Sequence, residues 1–163
     1  MHQITRAFSL TFILSAALIL SPGGPGTAFA QTADTNAVRR VVETVARLSE
    51  AKDAGGLDTL FAPDAWVRII EGAGVNNGWV DYRDKHLVPE LAEFTNFRYR
   101  YYEVEPQVRG DVAWAPFRYT LVTDTPQGHV EVEGRGTAVL ERRGSRWWIV
   151  HLHTSGRRRT PDR

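Results

Sequence analysis

The run Arg146–Ser155, which reads RWWIVHLHTS, constrains the fold of this chain more than any other stretch. It contains two Trp, Ile, Val and Leu and no Gly or Pro, which is typical of a β-strand. Side chains alternate between the two faces of a strand, so one face is predicted to carry Trp147, Ile149, His151 and His153. The other face is then formed by Trp148, Val150 and Leu152. Because both faces carry large apolar residues, we expect an inner strand that is covered on both sides.

The first thirty residues have the three parts of a secretory signal peptide. Met1–Arg6 is basic, Ala7–Leu20 is almost wholly apolar, and Ala28–Ala30 offers small residues at a cleavage site. The apolar run is shorter than the roughly 20 residues that a membrane-spanning helix needs, and an uncleaved anchor is the alternative interpretation. We therefore expect a mature chain that starts at Gln31, is periplasmic or secreted, and has no membrane attachment.

The mature chain is predicted to be one domain with no net charge and no disulfides. The full sequence has 20 Lys and Arg against 19 Asp and Glu, and loss of the leader removes Arg6, which leaves equal numbers. This balance does not favour nucleic acid as a partner. The chain has no Cys, so an exported domain must be stabilised by its core alone. The length of 163 residues indicates one domain, assigned to residues 31–156, followed by a basic polar tail at 157–163.

The pattern of apolar residues predicts helices first and strands afterwards. Valines at helical spacing predict a helix that is capped at Asp34 or Thr35 and ends near Ala54–Gly56. The following segments are a short helix at 57–61, a strand at 64–71, a loop at 72–78, a helical region at 79–94 that Pro89 divides or kinks, and strands at 97–104, 112–123, 129–142 and 146–155. This order predicts an α+β fold with helices against one face of a curved antiparallel sheet.

Three runs carry a resemblance to a known superfamily: Gly55–Ala65 (GGLDTLFAPDA), Gly134–Thr137 (GRGT) and Trp147–Ser155. Together they resemble the nuclear transport factor 2-like superfamily, in particular its SnoaL-like members. The resemblance implies a cone-shaped cystatin-like α+β barrel, in which the sheet wraps around the N-terminal helices and a ligand pocket opens at the wide end. It also implies homodimers that pair through the outer sheet face. The sequence favours the same dimer, because the doubly apolar closing strand and the residues Tyr102, Val104, Trp114 and Val122 cannot all lie inside one cone of this size.

The last of these runs also resembles the association domain of calcium/calmodulin-dependent protein kinase II. Two arginines line the pocket of that domain, and the corresponding positions here hold Ala138 and Thr154. A carboxylate-binding pocket of that type is therefore not implied. The base and the oxyanion pair of ketosteroid isomerase-like members also have no clear counterparts in this sequence.

The histidines are the candidate catalytic residues. His151 and His153 could be a general base and a second proton carrier, two metal ligands, or ordinary hydrogen-bonded residues beside the core. Tyr82, His86 and Glu90 are spaced by four on a predicted helix, so an acid could orient His86 as a base, or all three could lie on an exposed face. A metal site would require His86 to meet His151 or His153, and neither a metal nor a cofactor is predicted.

The residues predicted to line a ligand pocket are Trp66, Tyr82, Glu90, Trp147 and Ile149. Aromatic residues on strands serve the core and a pocket wall equally well in a conical fold. We therefore expect an exported protein that binds a small apolar or amphipathic molecule. The alternatives are an isomerase, dehydratase or cyclase that uses pocket histidines as general acid and base, and a structural dimerisation module.

Overall fold

A computed structural model describes residues 25–159, with side chains from residue 30 onward. Most of the predicted leader, residues 1–24, lies outside the described residues. The helices are α1 (Pro25–Glu50), α2 (Ala54–Leu57), α3 (Trp79–Tyr82), a π-helical turn (Arg83–Leu87) and α4 (Val88–Glu93). The strands are β1 (Arg68–Glu71), β2 (Gly74–Asn77), β3 (Thr95–Tyr102), β4 (Gln107–Arg109), β5 (Val112–Thr125), β6 (Gly128–Arg143) and β7 (Arg146–Arg158).

Helix α1 packs against the inner face of the sheet through its valines. Val38, Val42 and Val45 are buried at helical spacing, as predicted. The helix begins well before the predicted cap, and Asp34 lies inside it, where it pairs with Arg142 at 3.0 Å. It also ends earlier than expected, because Asp53 caps α2 by accepting a hydrogen bond from the Gly56 amide. The double glycine therefore belongs to the second helix.

The sheet is curved, mixed and unclosed. Its strands follow the order β2-β1-β7-β6-β5-β3, with β4 paired to β5 as a branch. All pairs are antiparallel except β1 with β7, which are parallel and join Arg68 to His151. The α+β class with N-terminal helices inside a curved sheet is confirmed, whereas the expectation of a purely antiparallel sheet is wrong at this pair. β2 lies in a segment that was predicted as a loop, and β4 lies in a segment for which no element was predicted. Both strands are short and pair with only one neighbour, so their sequence signal is weak.

Two glycines of β6 allow the sheet to bend around large rings. Gly136 faces the ring of Phe117, and Gly134 faces the ring of Tyr119 on the neighbouring strand β5. A Cβ atom at either glycine would overlap these rings. The sequence-based expectation of a bend at these glycines therefore has a steric cause, which is the space that the two rings take on the concave side.

A β-bulge at Val150 changes the faces of strand β7. Leu140 pairs with Ile149, but the preceding residue Val139 pairs with His151, so Val150 is an extra residue in this strand. Paired residues share a face, and Leu140 and Ile149 are fully buried on the inner one. Beyond the bulge Leu152 returns to that inner face. The prediction that His151 and His153 share a face with Trp147 and Ile149 is therefore wrong, because strict alternation stops at the bulge.

The end of the chain differs from the predicted polar tail. Strand β7 continues through Arg158, and Arg157 and Arg158 pair with Glu133 and Val132 of β6, although their side chains remain exposed. Among residues 25–159, no helix combines the length and apolar character that crossing a membrane requires.

Candidate functional site

A cavity lies between the helices and the concave face of the sheet. Its enclosed space is small, and the empty space reaches about 490 Å³ only when the opening to solvent is counted. Most of the wall is apolar: Val45, Leu57, Phe61, Trp79, Leu87, Leu91, Phe94, Phe97, Leu121 and Leu152. The polar wall residues are Ser49, Glu71, Tyr82, Glu90, Tyr99 and Tyr101. An apolar wall with a few convergent polar groups is the usual composition of a small-molecule site.

Two tyrosines of β3 line this cavity and hydrogen-bond each other. Tyr99 and Tyr101 are two residues apart on one strand face, and their hydroxyl oxygens are 3.1 Å apart. Burial raises the pKa of both phenols above the ordinary value, so both keep their protons at neutral pH. Two hydroxyls that bond each other use one proton between them, and the second O–H can be donated to a ligand oxygen.

A second polar group gathers at Glu71, the last residue of β1. The Tyr82 hydroxyl donates to Glu71 Oε1 at 2.9 Å. His86 Nε2 lies 3.1 Å from Glu71 Oε2 and 3.4 Å from Glu90 Oε1. The rings of Tyr82 and His86 are 5.2 Å apart. The structure therefore brings together the three residues that the spacing of four had grouped, and it adds Glu71 from the sheet.

The π-helical turn explains how Tyr82 and Glu90 reach the same side. Eight residues of a regular α-helix would leave them about 80° apart, since each residue turns the helix by about 100°. The turn at Arg83–Leu87 takes up roughly one extra residue, because the Val88 amide bonds the Arg83 carbonyl five residues back. Pro89 follows immediately and has no amide to donate, so the regular pattern is interrupted here, as predicted.

The two carboxylates change the proton affinity of the neighbouring groups. The pKa of His86 is raised, chiefly by its hydrogen bond to Glu71, against the opposing effect of desolvation. The pKa of Glu90 is raised mainly by desolvation, and that of Tyr82 by burial and then by the Glu71 charge. Desolvation alone would favour a neutral imidazole, but the two acids beside His86 favour the protonated one.

The structure separates the other predicted site residues from the cavity. Trp66 is 48% exposed and lies beneath the Arg143 guanidinium, and Trp147 is buried beside Arg142. Ile149 is part of the core and bridges to Phe61. Tyr82 and Glu90 line the cavity, and His86 adjoins it. The ligand-binding and catalytic roles of these residues stay predictions.

The remaining two candidates, His151 and His153, lie on the sheet face away from the cavity. Their partners in β6 are Val139 and Thr137, which alternate with the buried Ala138 and Leu140. His151 is partly buried and His153 is exposed. The pKa of His151 is lowered by desolvation and then by the charge of its neighbour His153.

Glu71 was missed by sequence reasoning, although a signal existed for it, whereas Tyr99 and Tyr101 belong to the strand aromatics that could line either the core or a pocket wall. Tyr99 and Tyr101 lie in the run FRYRY, where aromatic and basic residues alternate, so one face of the strand is wholly aromatic. Glu71 is two residues beyond the buried Ile69 and therefore shares its face. An acid at the end of an otherwise apolar strand face is the pattern that would have indicated it.

The chain belongs to the SnoaL-like domain family, which matches residues 38–157. Solved structures with this fold include an NTF2-like superfamily protein from Salmonella enterica serovar Typhimurium, at 20% identity, 82% coverage of this chain, 95% of that one and a TM-score of 0.65. A predicted ketosteroid isomerase from Shewanella frigidimarina is similar at 22% identity, 71% and 92% coverage and a TM-score of 0.60. A predicted NTF2-like dehydratase from Streptomyces avermitilis has 18% identity, 77% and 97% coverage and a TM-score of 0.68. No curated protein matched the sequence of this chain.

Proposed function

We propose that this protein binds a small, largely apolar molecule whose polar group is neutral or cationic. The observation that carries the proposal is the composition of the cavity wall, in which Glu71 and Glu90 are the only charged residues among sixteen. No Lys or Arg lines this cavity, so a bound carboxylate would lose hydration without gaining a counter-ion. The tyrosine pair, by contrast, offers an O–H to a neutral ligand oxygen.

A series of naphthalene ligands tests this preference, because its members share one apolar ring system. Binding of 2-naphthol, 2-naphthylmethylamine and 2-naphthoate is compared by calorimetry at pH 7 in buffer with EDTA. We expect the neutral phenol and the ammonium to bind at least about tenfold more tightly than the carboxylate, a difference of about 1.4 kcal/mol. Equal affinities, or tightest binding of 2-naphthoate, would contradict the proposed charge selection.

Two neighbouring tyrosines provide a matched pair of variants for locating the ligand. Tyr101→Phe removes the hydroxyl of a residue that lines the cavity, while Tyr102→Phe removes one from the next residue, which lies by Arg118 and is outside the lining. Loss of one neutral hydrogen bond costs about 0.5–1.5 kcal/mol, so Tyr101→Phe should weaken 2-naphthol binding about 2- to 13-fold. An equal loss in Tyr102→Phe would place the ligand elsewhere.

An isomerase- or dehydratase-type activity is the second candidate. It is favoured by His86, which lies between two carboxylates that line the cavity, and by two structural relatives described as a predicted ketosteroid isomerase and a predicted dehydratase. Both reaction types remove a proton beside a carbonyl or a leaving group. If this activity is present, the protein should accelerate exchange of the α-protons of 2-tetralone in D₂O, as measured by NMR. The Glu90→Gln variant should slow this exchange. Binding of 2-naphthol without any exchange would leave binding as the function.

A homodimer through the outer sheet face is also proposed. Val112 and Trp114 are 45% and 39% exposed on β5, and Tyr102 and Val122 are partly exposed, whereas the predicted contact residue Val104 is buried. An exposed apolar group of this kind is typical of an interface. Sedimentation at micromolar concentration should give twice the chain mass, and Trp114→Glu should give the single mass. A monomer at high concentration would refute the dimer.

Export is proposed from the leader alone. Material recovered from the periplasm or medium should have an N-terminus at Gln31, measured by mass spectrometry. A mature pool that retains Met1 would contradict cleavage.

A further inference from the structure

We propose that Glu71, His86 and Glu90 form a binding site for one divalent transition-metal ion beside the cavity. Each residue offers one ligand atom, and the three atoms lie within 4.8 Å of one another. The inference goes beyond small-molecule binding, since it concerns an ion held by the protein's own side chains.

The two distances from the His86 nitrogen to the carboxylate oxygens match those around a single ion. Two atoms bound to one metal at about 2.1 Å lie about 3.0 Å apart at a right angle and about 3.4 Å apart at a tetrahedral angle. The Nε2 atom of His86 is 3.1 Å from the Glu71 oxygen and 3.4 Å from the Glu90 oxygen. The Glu90 side chain is about half exposed and is free to make the small adjustment that its oxygen needs.

A second histidine with two acids shows what distinguishes this group. His129 contacts Asp124 through Nδ1 at 2.7 Å and Glu131 through Nε2 at 3.3 Å. Its carboxylates thus lie at opposite ring nitrogens, where each hydrogen-bonds separately and no single ion reaches both. At His86 both carboxylates converge on Nε2, which carries at most one proton. A metal ion in place of that proton would bind both carboxylates at once.

The charge of the group also favours a cation. Within residues 30–159, neither Glu71 nor Glu90 has a Lys or Arg within ion-pairing distance, and His86 is the only cationic partner of both. Asp34 and Asp58, by contrast, do have one, since Asp34 pairs with Arg142 and Asp58 pairs with Arg83. Two convergent carboxylates that share one imidazole therefore retain a negative charge that a divalent ion would neutralise.

The buried Tyr82 prepares Glu71 for this role. Its O–H holds Oε1 of the carboxylate at 2.9 Å, which directs Oε2 toward His86. Partners of this kind orient metal-binding carboxylates in known sites. One imidazole and two carboxylates suit Zn²⁺, Mn²⁺ or Fe²⁺ better than Mg²⁺, which prefers oxygen donors alone. Because Glu71 and Glu90 also line the cavity, the remaining coordination positions would face a bound ligand.

Calorimetry with Zn²⁺ and with Mg²⁺ on untagged protein tests the site at pH 7. We expect one Zn²⁺ per chain, bound at least tenfold more tightly than Mg²⁺. His86→Ala, Glu71→Gln and Glu90→Gln should each weaken Zn²⁺ at least tenfold. Glu93→Gln, an acid on the same helix outside the group, and His129→Ala should leave the affinity unchanged. Absence of Zn²⁺ binding by the unaltered protein, or equal losses in the control variants, would overturn the proposal.

Paramagnetic broadening by Mn²⁺ locates the ion and does not depend on variants that fold. Amide signals of residues near Glu71, His86 and Glu90 should broaden first, at Mn²⁺ concentrations below that of the protein. Broadening centred on His129 or on other surface acids would refute the assignment. The naphthalene experiments contain EDTA, so the two ideas fail separately: a metal-free cavity can still bind 2-naphthol, and a metal site can exist without it.

Discussion

Replacement of Gly136 by alanine tests whether the bend of the sheet depends on a missing side chain. The new Cβ would overlap the Phe117 ring and lie 2.8 Å from the carbonyl oxygen of His153. A backbone oxygen cannot rotate away, so the strands must separate or the ring must move. Overpacking of this kind costs about 1–3 kcal/mol of unfolding free energy. With a urea m-value of about 2 kcal/mol/M, the midpoint should fall by about 0.5–1.5 M.

Gly74→Ala is the matched control for that experiment. The same methyl group would lie 3.4 Å from its nearest neighbour, the Glu71 carbonyl oxygen, on an edge strand. Its effect should stay within about 0.5 kcal/mol. In the Gly136→Ala background, Phe117→Leu should cost less than it does alone, because the ring that the methyl group meets is gone. A Gly136→Ala midpoint equal to that of the parent protein would refute the steric explanation of the bend.

Two further predictions concern Trp79 and His129. Trp79→Phe should preserve the stack on Phe61, whose ring centroid lies 4.1 Å away, but lose the hydrogen bond from the indole N–H to Asp58. Loss of this bond should lower the unfolding free energy by about 0.5–1.5 kcal/mol in urea titrations. An unchanged midpoint would contradict this. The pKa of His129 is raised by Asp124 and then Glu131, so its NMR titration should lie above the ordinary histidine value and return toward it in Asp124→Asn. Because the folded-state pKa is the higher one, the contribution of this pair to stability should be complete below the unfolded-state pKa and vanish as pH rises through the folded-state value.

The fold was predictable from the sequence because its main signals are local. The valine spacing of α1, the strand residues of β5 to β7 and the turn glycines each determine a short element whose type follows from its own residues. The helix ends were harder to predict. The two glycines indicated the end of α1, but Asp53 caps α2 and places both glycines inside that second helix. β1 was predicted too long, because its pairing with β7 joins distant parts of the chain, and β2 was predicted as a loop.

The candidate site was predictable only in part, because it combines local and distant geometry. The group of Tyr82, His86 and Glu90 follows from helical spacing. The contribution of Glu71 depends on the pairing of β1 with β7, which no local pattern encodes. The inward placement of His151 and His153 failed for another reason: a single extra residue, Val150, shifts every later side chain of the strand to the opposite face.

The parallel pairing of β1 with β7 also determines when the site can form. Glu71 pairs with Thr154 of β7, so the carboxylate is fixed only after β7 has joined the sheet. Such distant contacts form late, since closing a long loop has a large entropic cost. A chain still emerging from the ribosome can therefore fold α1 and the β5–β6 hairpin, but it cannot yet assemble the group of Glu71, His86 and Glu90. Loss of only the last ten residues would leave Glu71 without its strand partner, and the protein would lose its polar site before most of its core.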